Sequence, residues 1–362
     1  MSSNTSWKLY AENEQVWLAI LSDCAKAKES IVLEQFIFTN DDFSQKFIKV
    51  CAERAAAGVK VRFLVDAAGS FTFFGTDITK ELREKNIELL FWKTLVPAYY
   101  KVPNYRSWYL RNHRRTLVID NEIGYTGSIC MSDAMKNWRD TNVRIEGPTA
   151  ENMGNAFERM WARACKMKKL PERIFKNNPE FRYVTNYPAP GQRHLYAEIV
   201  HALRKARHYV YITTPYFVPT HRIIRLMKNA TDRGVDVRLI IPEKSDHYAV
   251  DLGARSFFNT LLQSGVRIFL YPNNDGKLIH SKTMVIDGTW ATVGSMNLDS
   301  VSLLYNFEAN IITTNTMFAE ELSAHFVRDM NESKEVSFGE WKSRFFIEKI
   351  PEILISLVKK FL

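Results

Sequence analysis

Hydrophobic and polar positions along this chain fall into short blocks whose period switches repeatedly between that of a strand and that of a helix. The stretches SIVLEQFIF (30–38) and YVYITTPYFV (209–218) are runs of apolar, β-branched and aromatic residues, which predict buried strands. DFSQKFIKVCAERAAAG (42–58) carries apolar residues at helical spacing and stops on a glycine. VKVRFLVD (59–66), a further helical block and IELLFW (87–92) follow. Alternation of this kind, with continuously apolar strands, predicts an α/β sandwich built on a largely parallel sheet.

The pattern then repeats. AGVKVRFLVD (57–66) returns as RGVDVRLIIP (233–242), KNIELLFW (85–92) as SGVRIFLY (264–271), and HRRTLVID (113–120) as HSKTMVID (280–287). The copies are offset by about 170 residues, too long for a solenoid and right for a duplicated domain. The stretch between them is rich in Pro, Asn and charge. The expected organisation is a first domain over 1–170, a linker over 171–193 and a second domain over 194–343. A C-terminal amphipathic helix over 344–362 closes the chain, with Lys349, Lys359 and Lys360 beside its apolar residues.

The repeated octets hold the candidate chemistry. Read as strands, they project positions one and three to the same side: His113 with Arg115, and His280 with Lys282. Asp120 and Asp287 close the octets with opposite parity where a strand must turn, which favours a structural role over a chemical one. Seven residues after each Asp comes a Gly-Ser pair, Gly127-Ser128 and Gly294-Ser295, where the missing side chain would let an anion approach backbone amides and a hydroxyl; Asn297 adds an amide. Asp140 and Glu308 occupy matched positions after their respective histidines. From the neighbouring strand, such a carboxylate can hold an imidazole Nδ1–H and fix its tautomer. Glu34, polar inside an apolar strand, reads equally as a pocket-lining group and as a buried structural acid. If the halves pack about a pseudo-twofold axis, one imidazole can attack phosphorus while the other protonates the leaving alcohol. No His, Cys or carboxylate cluster has metal-ligand spacing, and no cofactor is expected.

Composition narrows the setting. The 362 residues are 46% hydrophobic and 25% charged, as a globular protein with a large core would be. A net charge of +9 and an isoelectric point near 9.2 favour a polyanionic neighbour, whether nucleic acid, anionic membrane or phosphorylated substrate. No apolar run reaches the roughly 18 residues of a membrane span. The four cysteines lack metal-finger spacing and read as reduced thiols. Aromatic, apolar connections at FTFFG (71–75) and WKTLVPAYYKVPNYRSWYL (92–110) read either as a membrane-facing rim or as packing on the chain's own core.

Two HxKxxxxD-like octets, each followed by a GSxN-like element, resemble the mark of the phospholipase D superfamily. NHRRTLVID, WRDTNVRIEGP, TTPYFVP, EKSDH and IHSKTMVIDGTWATVGSMNLDSVSL are most similar to its bacterial cardiolipin synthases. The resemblance implies two tandem α/β sandwich domains of phospholipase D type, related by a pseudo-twofold axis and sharing one active site. It implies transfer of a phosphatidyl group from one phosphatidylglycerol, or another phospholipid, to a second, through a phospho-histidine and without metal. His113 would be the nucleophile and His280 the acid and base, although the sequence by itself is symmetric on this point. Arg115, Lys282, Ser128, Ser295 and Asn297 would surround the phosphate. Phospholipid substrates and an anionic membrane surface are the expected partners, with peripheral attachment to the cytoplasmic face of a bacterial inner membrane; nucleic acid is not expected. A hydrolytic phospholipase D and a nuclease-type phosphodiesterase use the same site and stand as alternatives. Two positions depart from the family pattern: Arg115 stands for Lys, and Cys130 for the Asn after Gly-Ser. His247, in EKSDH, reads either as a loop residue approaching the site or as an exposed histidine.

Overall fold

A computed structural model describes residues 5–73, 77–93, 110–172, 178–274 and 276–344. Its first sheet contains β1 (Trp7–Glu12), β2 (Ser30–Gln35), β3 (Lys60–Asp66), β4 (Ile87–Trp92), β5 (Thr116–Ile119), β6 (Ile123–Gly127) and β7 (Arg139–Glu146), in the order β1-β7-β6-β5-β2-β3-β4. The later strands are β8 (Phe181–Asn186), β9 (Tyr209–Thr213), β10 (Phe217–Val218), β11 (Asp236–Pro242), β12 (Arg267–Tyr271), β13 (Thr283–Ile286), β14 (Trp290–Gly294), β15 (Leu298–Asp299), β16 (Glu308–Thr313) and β17 (Lys334–Glu335). The second sheet runs β17-β12-β11-β9-β13-β14-β16-β8, while β10 and β15 form a small parallel pair. Apart from the added β17, the second order repeats the first strand for strand, with β8 in the place of β1. The duplication read from the octets is thus a duplication of topology.

Two expectations need correction. The sheets are not largely parallel: only β2-β3-β4 and β9-β11-β12 run parallel, and the remaining sheet neighbours are antiparallel. Each octet strand turns straight back through a tight hairpin, with Asp120 and Asn121 at φ 53° and 55° and Asp287 and Gly288 at 54° and 65°. Nor is 171–193 only a linker. The alternating FRYVTN becomes β8, pairing with β16 along its whole length, so the second sheet begins ahead of residue 194. The expected helix over 344–362 lies, but for Arg344, outside the described residues, as do residues 94–109 of the long aromatic connection.

Helices α1 (Asn13–Cys24), α2 (Asp42–Ala56) and α3 (Asp77–Glu84) contribute to the core of the first half. The Asp41 side chain starts α2 by accepting from Ser44 N–H at 3.2 Å. Between the sheets, helix α4 (Pro148–Ala164) contributes Met153, Phe157 and Met160 to a central core that also takes Val118 and Val143 from one sheet and Val285, Val293 and Ile311 from the other. The halves are therefore fused through hydrophobic burial, and the segments that carry the octets meet at this junction.

Candidate active site

The octets reach the junction as extended segments just ahead of their strands, since β5 starts at Thr116 and β13 at Thr283. Each segment is held by the opposite half. His113 N–H donates to Phe307 O at 3.0 Å and Phe307 N–H returns to Arg111 O at 2.9 Å; His280 N–H donates to Arg139 O at 2.8 Å and Arg139 N–H returns to Leu278 O at 2.9 Å. These bridges place each histidine beside the strand that carries the other half's carboxylate.

The side chains follow. His113 Nδ1 lies 3.0 and 3.2 Å from the two Glu308 oxygens, and His280 Nδ1 lies 3.3 Å from Asp140 Oδ2. The pairing expected within each half is therefore crossed: Asp140 holds the second histidine, and Glu308 the first. Spacing along the chain could not show this, because the crossing is a property of the interface.

Arg115 and Lys282 are buried with the imidazoles, and each acts electrostatically on both of them. Burial, followed by the Lys282 charge, pushes His280 down to about 3. Burial also lowers His113, with Glu308 opposing and Arg115 reinforcing the shift. Burial and the neighbouring Arg115 take Lys282 well below the ordinary lysine range. At Asp140, burial works against the charge, but His280, Lys282 and Arg115 outweigh it and hold the carboxyl below its usual range. Burial thus favours the neutral form of both imidazoles, and the negative charge of a bound substrate would favour the uptake of an acid's proton.

The Gly-Ser elements work differently from the sequence reading. A Cβ on Gly127 would lie 2.2 Å from Asn142 Oδ1, and one on Gly294 would lie 2.3 Å from Asn310 Oδ1. Those amides accept from Ile129 N–H at 2.9 Å and Met296 N–H at 3.2 Å. The glycines thus admit a neighbouring strand, not an anion. Asn142 and Asn310 escaped notice, although each stands two residues after its carboxylate. The serine hydroxyls turn to those carboxylates: Ser295 Oγ donates to Glu308 Oε2 at 2.5 Å, and Ser128 Oγ donates to Asp140 Oδ1. Asn297 is buried with its Oδ1 unpartnered, whereas Cys130 is fully buried at the equivalent place.

Asp120 and Asp287 are far from catalytic geometry, as their parity implied. Asp120 accepts from the backbone amides of Lys28, Glu29 and Ser30, each at 2.8 Å. Asp287 accepts from those of Arg207, His208 and Tyr209 at 2.9, 2.8 and 2.9 Å. Each ties the end of its octet to the start of the adjacent strand, so neither is placed as a catalytic group. Glu34 lies on the other parity from the histidine, accepting from Asn112 Nδ2 at 2.8 Å with Arg114 Nη1 at 3.7 Å. It steadies the His113 segment from behind instead of lining the pocket, and burial raises its carboxyl above the ordinary range despite Arg114.

Aromatic rings border the imidazoles. Phe36 meets His113 edge-on at 4.6 Å, Trp138 meets His280 at 5.0 Å, and Tyr216 lies 6.5 Å from His280 while donating to Asp246 at 2.6 Å. His247 is exposed and packs on Tyr216 at 5.5 Å, so it reaches the site only through that ring. Trp138 and Tyr216 were not singled out from sequence, because their counterparts in the other half are Asn306 and Ile37 and the repeat gives no cue.

A family model described as "Cardiolipin synthase, PLD-like domain" matches residues 20–161 and again 199–330, one match on each half. The chain belongs to this family. It is 31% identical to the cardiolipin synthase A of Proteus mirabilis, over 93% of this chain and 71% of that protein. It is 29% identical to the cardiolipin synthase of Listeria monocytogenes, over 100% and 76%. In fold it is similar to a phosphatidylserine synthase from Haemophilus influenzae, with a TM-score of 0.74 at 14% identity, covering 98% of this chain and 92% of that one. That last likeness bears on the fold alone.

Proposed function

We propose that this member of the cardiolipin synthase family transfers a phosphatidyl group from phosphatidylglycerol to a second phosphatidylglycerol through a phospho-histidine at His113. The observation that carries the reading is the crossed pairing. Each imidazole is held at Nδ1 by a carboxylate, leaving Nε2 for chemistry, while the buried Arg115 and Lys282 both act electrostatically on the two rings. In the first step the His113 Nε2 lone pair forms a bond to phosphorus, and the bond from phosphorus to the glycerol oxygen breaks. His280, having taken up a proton as the anionic diester binds, gives it to that oxygen. In the second step the acceptor's hydroxyl passes its proton to His280 and attacks phosphorus. The P–N bond then breaks and His113 recovers its lone pair. Arg115 and Lys282 offset the charge on the non-bridging oxygens in both steps.

The setting follows from the substrate. Among the described residues, no helix is long and apolar enough to cross a membrane. Phe71, 65% exposed, follows β3, and Tyr248, 71% exposed, follows the equivalent β11 in the second half. Both segments belong to the end that carries the histidines: Ser70 Oγ donates to Phe36 O at 2.9 Å, and Asp246, just ahead of the helix that Tyr248 begins, accepts from Tyr216. We read these two rings as seats on the lipid surface from which the enzyme works peripherally. Phe73, by contrast, is buried in the core, which is the packing role foreseen as the alternative for this stretch.

The test is product analysis with phosphatidylglycerol vesicles in a chelating buffer. Cardiolipin with released glycerol is expected, with no loss on chelation. Phosphatidic acid alone would make the protein a hydrolase, and cleavage of nucleic acid with lipid untouched would overturn the lipid reading.

A further inference from the structure

The two departures from the family pattern, Arg115 and Cys130, are both buried and interact electrostatically. Arg115 Nη2 lies 3.1 Å from His113 Nε2. A guanidinium can only donate, so Nε2 is the acceptor and carries the lone pair, while Nδ1 carries the proton toward Glu308. The nitrogen that would attack phosphorus is thus engaged by Arg115. Nothing comparable holds in the second half. Lys282 Nζ turns back to the carbonyl of His280 at 2.6 Å, and no hydrogen bond to His280 Nε2 is found among the described residues.

We propose that Arg115 masks the nucleophilic nitrogen of His113 in the free enzyme, and that a phosphodiester anion unmasks it by drawing the guanidinium onto its own oxygens. The proposal rests on His113 being the nucleophile. The Nε and Nη1 of Arg115 are buried without hydrogen-bond partners, which leaves donors for two anionic oxygens once the group swings. A lysine could not reproduce this, since its single nitrogen lacks the fork that bridges imidazole and phosphate.

Cys130 completes the device. It is fully buried and feels the Arg115 charge, at the place where the second half carries Asn297. An asparagine there would offer the guanidinium a carbonyl oxygen and compete with His113 for it. A thiol is a poor acceptor and leaves the imidazole as the better partner. The Lys-to-Arg and Asn-to-Cys departures are therefore one matched exchange. It makes the two histidines chemically distinct before substrate binds, and it discriminates against electrophiles that lack anionic oxygens.

Diethyl pyrocarbonate, an uncharged reagent that acylates neutral imidazole, tests this when modification is followed at each histidine by peptide mass spectrometry. His113 is the more exposed of the pair, 7% against 3%, yet it is expected to react more slowly than His280 in the native protein. Arg115→Lys should speed reaction at His113 about tenfold, the worth of one charged hydrogen bond. Cys130→Asn should shift it in the same direction, and the double variant should be no faster than Arg115→Lys alone. An unchanged rate at His280 in every variant reports an intact site, and Cys130→Asn carries the test if Arg115→Lys does not fold. Equal rates at His113 and His280 in the native protein, or no acceleration in the variants, would overturn the proposal. Because the readout needs no lipid turnover, its failure is distinguishable from failure of the transferase reading.

Discussion

Replacing Glu308 by glutamine tests the crossed site most directly, because it alters the second half while the damage is expected in the first. Ser295 Oγ accepts from Ala309 N–H at 3.1 Å, so its own proton must go to Glu308, to which it donates at 2.5 Å. In a glutamine variant that hydroxyl would hold the amide oxygen at the Oε2 position and leave the amide nitrogen at the Oε1 position, 3.0 Å from His113 Nδ1 and nearer to it than the oxygen. An amide nitrogen donates, so Nδ1 would become the acceptor and the imidazole proton would move to Nε2. There it removes the nucleophile and opposes the Arg115 donor 3.1 Å away. Where a carboxylate sets a catalytic tautomer, its amide replacement costs on the order of 10⁴-fold, about 5 kcal/mol of barrier. The assay is rapid quench with a radiolabelled phosphatidyl p-nitrophenol diester, scoring label on the peptide that contains His113. This leaving group needs no acid, so Asp140→Asn, which alters the carboxylate that His280 and Ser128 share and leaves the His113–Glu308 pair in place, should still give the phospho-enzyme burst, whereas Glu308→Gln should abolish it. If Glu308→Gln keeps its burst while Asp140→Asn loses it, the crossed assignment of roles is wrong.

Three further outcomes follow from the same geometry. Asp287→Ala removes the acceptor for three backbone amides at the end of the octet away from His280, so it should cost about 3 kcal/mol of stability in denaturant titrations. Turnover per folded molecule should stay within about threefold of the parent, because the loss is one of tethering and not of chemistry. His280 is held near 3, below its unfolded value, so between about pH 6.5 and 3 the unfolded chain binds the extra proton and stability declines as pH falls. The slope from this group is just over 1 kcal/mol per pH unit at most; chemical melts of His280→Gln should show it flattened, and an unchanged slope would remove the claim. Phe71→Ser combined with Tyr248→Ser should weaken flotation with phosphatidylglycerol vesicles about tenfold if the two exposed rings enter the lipid surface, and equal flotation would refute that seating.

How much of this was legible in the sequence depends on whether a feature repeats. The histidines, Arg115 with Lys282, and Asp140 with Glu308 stand out because two copies of the same spacing single them out, and the strand orders of the two sheets bear out the duplication. Features that do not repeat, or that arise between the copies, stay hidden. Trp138 and Tyr216 have unlike counterparts. β8 is masked by the Pro and Asn residues around it, although FRYVTN alternates. The antiparallel return after the second octet was signalled by Asp287-Gly288, a hairpin dipeptide, but the surrounding strand–helix alternation outweighed it. The crossing of the carboxylates belongs to neither copy. A carboxylate spaced to reach its own histidine reaches the other's instead, because backbone bridges from His113 to Phe307 and from His280 to Arg139 stitch each octet to the opposite strand. Neither half by itself therefore contains an oriented histidine. In a duplicated enzyme this makes correct packing of the halves a precondition for either imidazole to be in its reactive tautomer, and it ties the onset of chemistry to completion of the central core.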